Sequence, residues 1–115
     1  MPREVSEEAA QKREDFRSAT TFTIDGADSK DFDDALSVEE LPNGHYQIGI
    51  HIADVAEYVK AGSALDEEAY QRGNSVYLIN EVLPMLPKEL SNGICSLNEG
   101  VDRLCLSVAV ELDDK

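Results

Sequence analysis

Two segments of the sequence alternate large apolar residues with small or polar ones. In residues 45–53 the large residues are Tyr46, Ile48, Ile50 and Ile52. In residues 103–112 they are Leu104, Leu106, Val108, Val110 and Leu112. A period of two places such side chains on one face of a β-strand, because successive side chains of a strand point to opposite faces. The chain is therefore expected to be built on a sheet.

Weaker patterns complete the predicted set of elements. Further strands are predicted over residues 20–24, 35–41 and 75–79, and the sequence Pro42-Asn43-Gly44 is typical of a hairpin turn. Helices are predicted over residues 63–73 and, as a single turn closed by Gly93, over residues 88–93. Residues 4–18 are rich in helix formers but poor in apolar residues, which predicts an exposed helix rather than a core element. Together these elements indicate an α+β domain with a mixed, mainly antiparallel sheet and short helices.

Composition limits the size of the protein and the partners it can have. The chain has 115 residues, enough for one domain, and its formal net charge is −14. So acidic a surface repels phosphate, which opposes a free-standing nucleic-acid-binding module. Cys95 and Cys105 lie in apolar surroundings, which indicates core thiols in a reducing compartment. No apolar run is long enough to span a membrane, so a cytoplasmic location without membrane contact is expected.

Five aspartates crowd the segment between the first two predicted strands: Asp25, Asp28, Asp31, Asp33 and Asp34. Carboxylates so close together repel one another, and the repulsion grows where water is excluded. A divalent cation would relieve it, and Mg²⁺ commonly binds one or two carboxylates while keeping water and phosphate oxygens as its other ligands. Two such ions can activate a water and stabilise the leaving oxygen in phosphodiester hydrolysis. The segment is therefore compatible with a metal-dependent hydrolase.

Other interpretations of these aspartates stay open on the residues alone. An acidic loop between strands can be a solvated turn that binds nothing. An EF-hand starting at Asp31 is excluded, because Leu36 stands where that loop requires glycine. Asp31 and Asp33 also form a D-x-D pair, which leaves a nucleotidyl- or glycosyltransferase as an alternative enzyme class. His51 and Asp54 are expected to be structural neighbours of the acidic segment rather than metal ligands.

The chain contains the following segments in order: TIDGADSKDFDDAL (23–36), IHIADV (50–55), GSALD (62–66), YQRGNSVYL (70–78), LPMLPKELSN (83–92), CSLN (95–98) and VDRLCLSV (101–108). Together they resemble the catalytic domain of the ribonuclease II and ribonuclease R exoribonucleases, the RNB domain. They follow one another in the family's order and cover about residues 20–112. On this resemblance, residues 1–19 form a helical lead-in and residues 20–115 form the N-terminal portion of the catalytic domain.

The resemblance implies 3′-to-5′ hydrolysis of single-stranded RNA to nucleoside 5′-monophosphates with Mg²⁺, for which Mn²⁺ could substitute. The family's four acidic residues fall on Asp25, Asp31, Asp33 and Asp34. Asp25 and Asp34 would hold one metal, and Asp31 and Asp33 would position a second metal or the attacking water. Tyr77 falls where the family places an aromatic ring against the base at the RNA 3′ end, and such stacking accepts every base. Without the resemblance, a tyrosine at this position is also typical of a half-buried strand.

The family's catalytic domain is considerably longer than this chain and is flanked by OB-fold RNA-binding domains. Its later segments supply a second stacking aromatic, a glutamate and an arginine beside the scissile phosphate. Such an arginine stabilises the charge that develops on phosphate during hydrolysis. Two functional hypotheses follow. The chain is the catalytic portion of an exoribonuclease, or it is a catalytically incomplete acidic fragment that binds a divalent metal or a complementary chain.

Overall fold

The computed structural model describes residues 3–113. In that range the elements in chain order are α1 (Glu7–Gln11), β1 (Thr20–Phe22), β2 (Asp34–Glu40), β3 (Tyr46–Ala53), a 3₁₀ turn (Val55–Glu57), α2 (Ala64–Arg72), β4 (Val76–Tyr77), β5 (Val82–Leu83), a π-helical turn (Glu89–Ile94) and β6 (Cys105–Leu112). Within residues 3–113 no helix combines the length and apolar character needed to cross a membrane.

Four strands form the main sheet in the order β1-β2-β3-β6, and each neighbouring pair is antiparallel. The β2–β3 hairpin closes at the predicted turn, where Gly44 adopts a φ of 83° that favours glycine. A second, two-stranded sheet pairs β4 with β5. The predicted α+β class with a mainly antiparallel sheet and short helices is confirmed.

The strand predicted over residues 20–24 is shorter in the structure, at Thr20–Phe22, and three further predicted elements also differ. The N-terminal helix covers only Glu7–Gln11, because the residues after it turn towards the sheet and make side-chain contacts there. The strand predicted over residues 75–79 is reduced to Val76–Tyr77. The turn predicted to close at Gly93 continues to Ile94 as a π-helical turn, in which the amide of Cys95 donates a 2.9 Å hydrogen bond to the carbonyl of Leu90.

A small apolar core lies beside the sheet. Leu90, Ile94 and Cys95 are buried at its centre. Partly buried side chains from the 3₁₀ turn, α2 and the loop before the π-helical turn pack around them: Val55, Tyr58, Val59, Leu65 and Leu86. Burial raises the pKa of the Cys95 thiol, which keeps it neutral, as expected for a core cysteine.

The two faces of the main sheet are unequal, and the face with small side chains is the buried one. Its buried residues are Ala35, Ser37, Gly49, His51 and Ala53. The predicted N-terminal segment is mostly exposed, as expected, but the aromatic ring of Phe16 lies 5.1 Å from the His51 ring and contributes to packing. The four large residues of β3 share the opposite face, as the alternation predicts, but three of them are exposed.

Candidate active site

The acidic segment is a loop that connects two neighbouring antiparallel strands. Asp25, Asp31 and Asp33 lie in the loop between β1 and β2, and Asp34 is the first residue of β2. The loop is tied to the sheet at its end, where the Asp33 carbonyl accepts a 2.9 Å hydrogen bond from the amide of Ala53. The aspartates therefore gather at one end of the β2–β3 hairpin.

Ser96 anchors the acidic loop from a distant part of the sequence. Its fully buried hydroxyl donates a 2.7 Å hydrogen bond to the carbonyl of Lys30 and accepts a 2.9 Å bond from the amide of Phe32. The amide of Leu97 also donates a 2.9 Å bond to the Phe32 carbonyl. Ser96 belongs to one of the segments that resemble the family, but the sequence did not predict its role as an anchor of the loop. The available signal was a polar side chain within the apolar run Ile94 to Leu97.

The other three predicted carboxylates lie close enough to Asp33 for their charges to act on it. The pKa of Asp33 is raised, first by partial burial and then by the negative charges of Asp31, Asp34 and Asp25. Asp28, the fifth aspartate, does not contribute to this shift. The structure thus gathers the four aspartates that the resemblance selects and leaves Asp28 as an exposed loop residue.

The donor chemistry of this cluster suits a divalent cation. Within residues 3–113 no group of three or more His, Cys, Asp or Glu side chains converges closely enough to hold a metal by itself. Mg²⁺ does not require such a cage, because it commonly binds one or two carboxylates and completes its shell with water and phosphate oxygens. The carboxylate oxygens of these aspartates are the donor type that such an ion takes from a protein.

Tyr77 reaches the acidic cluster from the β4–β5 hairpin. Its hydroxyl donates a 2.7 Å hydrogen bond to Oδ2 of Asp31. This hydrogen bond is the largest cause of a raised pKa of Tyr77, followed by burial and by the charges of Asp31 and Asp33. The side chain is 64% exposed, so the ring is accessible and is not the half-buried strand residue that its local sequence also allows.

The remaining polar residues singled out in the sequence have structural contacts. Both imidazole nitrogens of His51 meet serine hydroxyls, with 2.8 Å from Nε2 to Ser37 and 2.6 Å from Nδ1 to Ser107. Asp54 forms an ion pair with Arg13 at 2.7 Å. His51 and Asp54 thus have structural partners in the sheet and in the N-terminal segment, and their expected place beside the acidic loop stays a prediction.

Comparisons with known proteins identify the domain. Residues 13–115 match the RNB domain family. Ribonuclease R of Thermotoga maritima is 61% identical over 113 residues, which are 98% of this chain and 16% of that protein. Ribonuclease R of Mycoplasma genitalium in complex with double-stranded RNA superposes with a TM-score of 0.88 at 37% identity, over 96% of this chain and 20% of that one. Its complex with ribose-methylated single-stranded RNA superposes with a TM-score of 0.87 at 37% identity, over 96% of this chain and 17% of that one.

Fold and acidic loop together define a ribonuclease-type α+β domain. The chain belongs to the RNB domain family. It spans only 16% of the length of the Thermotoga maritima relative. The same fold occurs in yeast Ssd1, a pseudonuclease, with a TM-score of 0.81 at 26% identity over 97% of this chain and 14% of that one. The fold alone therefore does not establish that this chain is active.

Proposed function

We propose that this chain forms the acidic part of the active site of a 3′-to-5′ exoribonuclease that hydrolyses single-stranded RNA to nucleoside 5′-monophosphates. The observation that carries the proposal is the meeting of Tyr77 with the aspartate cluster through the 2.7 Å hydrogen bond to Asp31. An accessible aromatic ring beside clustered carboxylates can bind a terminal base while the adjacent phosphodiester faces the carboxylates.

Each of these side chains has a separate role in the proposal. Asp25 and Asp34 hold Mg²⁺ or Mn²⁺, and the metal supplies activation of water and neutralisation of phosphate charge. Asp31 and Asp33 orient the attacking water. The Tyr77 ring stacks on the 3′-terminal base, and its hydroxyl fixes the Asp31 carboxylate. Stacking accepts every base, which suits an enzyme that removes nucleotides one after another.

The proposal includes RNA and further polypeptide as partners. The Mycoplasma genitalium relative is known in complex with RNA, which supports an RNA substrate. With a net charge of −14, this chain repels phosphate, so the basic surface and the arginine that bind RNA come from additional sequence, including OB-fold domains. Both cysteines are free in the structure, which supports a reducing, cytoplasmic location.

The test replaces the matching 113 residues of Thermotoga maritima ribonuclease R with this chain and follows a 5′-labelled single-stranded RNA in the presence of Mg²⁺. We expect stepwise shortening from the 3′ end. Asp33→Asn should slow it about 10–100-fold, whereas Asp28→Asn, an equal change of charge on the same loop, should leave it nearly unchanged. Equal activity of the two variants would contradict the proposal.

The 115-residue chain is assayed beside this hybrid protein. Shortening by the chain alone, abolished by Asp33→Asn, would mean that the acidic loop suffices for hydrolysis. The large exposed apolar surface of the sheet favours the other outcome, in which only the hybrid is active. That result would make the chain a catalytically incomplete module that works with complementary sequence.

A further inference from the structure

Arg103, just before β6, has partners of an unexpected kind for so acidic a chain. The sequence holds 24 acidic residues against 10 lysines and arginines, so a carboxylate is the commonest partner available to a cation. Arg13, Arg17 and Arg72 each form such an ion pair. Within residues 3–113 Arg103 forms none, and its hydrogen bonds go to backbone carbonyls. Its guanidinium therefore serves the backbone.

These carbonyls lie around the end of the π-helical turn. The Nε–H of Arg103 is shared between the carbonyls of Gly93 and Ser96, at 3.2 and 3.0 Å, and Nη1 donates a 2.9 Å bond to the carbonyl of Asp102. Gly93 interrupts the turn with φ −106° and ψ −115°, and carbonyls at a helix end need partners from outside it. Charged donors make stronger hydrogen bonds than neutral ones. The guanidinium thus fixes the backbone that carries Ser96.

Ser96 passes this constraint to the acidic loop. Its hydroxyl donates a 2.7 Å bond to the carbonyl of Lys30 and accepts a 2.9 Å bond from the amide of Phe32. Lys30 and Phe32 stand on either side of Asp31, and Phe32 directly precedes Asp33. The hydroxyl therefore holds the backbone from which both carboxylates project.

The residue after Arg103 ties the far end of the same loop. The carbonyl of buried Leu104 accepts a 3.0 Å bond from the amide of Asp54. The amide of the adjoining Ala53 donates a 2.9 Å bond to the carbonyl of Asp33. Two consecutive residues thus hold the loop by separate routes. Only the route from Arg103 runs through side chains, so only that route can be cut by substitution.

We propose that Arg103 is a positioning residue of the candidate active site, which acts through Ser96 to keep the Asp31 and Asp33 carboxylates in their working orientation. The inference deepens the proposed function and rests on it, because there these two carboxylates orient the attacking water. A small misplacement of reacting groups slows the chemical step. Binding of RNA should change less, since Arg103 does not belong to the surface proposed to bind it.

Steady-state kinetics of the hybrid with Thermotoga maritima ribonuclease R tests the inference. Arg103→Gln should lower kcat about tenfold, with KM nearly unchanged. Arg103→Lys keeps the charge but loses the planar, pre-oriented donors, so it should lower kcat by a similar factor. Arg17→Gln is the matched control, because it removes an equal charge from an arginine that pairs with Asp102, next to Arg103. It should leave both constants nearly unchanged.

A double-mutant cycle tests the route through the serine. Ser96→Ala removes the hydroxyl that links the guanidinium to the loop. Arg103→Gln should therefore lower kcat little further when it is added to Ser96→Ala, because the two side chains act in series. Full multiplication of the two single effects would mean that Arg103 acts without Ser96 and would overturn the inference.

Hydrogen exchange of the amides at residues 30–33, measured by mass spectrometry on the same hybrid, follows the loop independently of activity. We expect exchange about tenfold faster in Arg103→Gln and unchanged in Arg17→Gln. If Arg103→Gln does not fold, Arg103→Lys carries both measurements.

The remaining outcomes separate the two proposals. Unchanged exchange or unchanged kcat in Arg103→Gln contradicts the positioning role. Full activity of Arg103→Lys also contradicts it, because charge alone would then be sufficient. A hybrid with the unchanged sequence that leaves RNA intact refutes the proposed function, and hydrogen exchange then still decides whether Arg103 holds the acidic loop.

Discussion

The Tyr77 hydroxyl donates a 2.7 Å hydrogen bond to the Asp31 carboxylate from 46 residues along the sequence. The contact joins the β4–β5 hairpin to the acidic loop, two regions that belong to different sheets. It brings an aromatic ring to the carboxylates and gives one of them a hydrogen-bond donor. Several properties of the protein should depend on this and on the other contacts that hold the loop.

Replacing Asp31 by asparagine should lower the pKa of Tyr77 towards its ordinary value of 10.0. The neutral phenol donates to a carboxylate, and ionising it would place two negative charges together, which is why the pKa of Tyr77 is raised. Titration of tyrosinate absorbance in the wild type and in Asp31→Asn measures the change. The Tyr77→Phe variant identifies which part of the signal belongs to Tyr77. An unchanged titration in Asp31→Asn would show that the hydrogen bond does not control this phenol.

Addition of Mg²⁺ or Mn²⁺ should raise the melting temperature of the protein. At ten times the dissociation constant, binding to the folded state alone adds about 1.4 kcal/mol. Asp34→Asn should reduce this response, because it removes a proposed ligand. Asp28→Asn removes the same charge from the loop outside the cluster and serves as the control. Equal shifts in wild type and Asp34→Asn would remove Asp34 from the metal site.

Ser96→Ala should destabilise the protein by about 1 kcal/mol, because the Lys30 carbonyl and the Phe32 amide lose the hydroxyl partner of two part-buried hydrogen bonds. Urea denaturation measures the loss. The same variant should also weaken the stabilisation by Mg²⁺, since the acidic loop is less well held. Ser29→Ala makes the equivalent change on the loop itself and should have a smaller effect. A Ser96→Ala protein as stable as wild type would show that the loop does not need this anchor.

Gly49→Ala should cost about 1–3 kcal/mol as an overpacked position. A Cβ at residue 49 would lie 2.6 Å from Nε2 of His51 and would also collide with Oγ of Ser37. These two side chains are hydrogen-bonded to each other and buried, so neither can move freely. Gly26→Ala is the matched control, because its Cβ would be 3.7 Å from the nearest atom. Thermal unfolding compares the two, and similar melting temperatures would contradict the close packing at Gly49.

Stability should fall as the pH drops below about 6.5. Burial lowers the pKa of His51 from its ordinary value of 6.5, so the unfolded chain takes up a proton before the folded chain does. The folded state loses free energy relative to the unfolded state as pH decreases from 6.5 towards the lowered pKa. Glu111, whose pKa is lowered from 4.5 by hydrogen bonds from Asn43 and His45, contributes only at lower pH.

Melting temperatures of wild type, His51→Gln and His45→Gln between about pH 7.5 and 5 isolate this effect. His51→Gln should flatten the decline, whatever its effect on stability at neutral pH. His45→Gln removes the other histidine and should keep the decline. A decline of the same slope in all three proteins would assign it to groups other than His51.

Local patterns in the sequence were sufficient for much of the fold. The alternation in β3 and β6 identified both strands, and Asn43 and Gly44 located the hairpin turn between β2 and β3. These predictions succeeded because strand period and turn conformation depend on neighbouring residues. The helix predicted over residues 4–18 was too long. Its observed end depends on Arg13 and Phe16, which contact residues far along the chain.

In the candidate site, too, some features were predicted from the sequence and others are visible only in the tertiary structure. The resemblance of several motifs to the RNB family selected four of the five aspartates and Tyr77 from the sequence. Their catalytic and metal-binding roles stay predictions. The position of Tyr77 against Asp31 and the anchoring of the loop by Ser96 come from contacts across 46 and 66 residues. No local pattern encodes such contacts, since they depend on how separate hairpins pack.

The burial of the main sheet shows most clearly what local sequence patterns do not determine. Alternation determines which side chains share a face, because it is a property of the strand alone. It does not determine which face is covered, because that depends on what the rest of the polypeptide packs against. Here Phe16 and the small residues around His51 close one face, while the large apolar residues lie exposed on the other. Tertiary structure decided this, since burial is a property of two surfaces in contact.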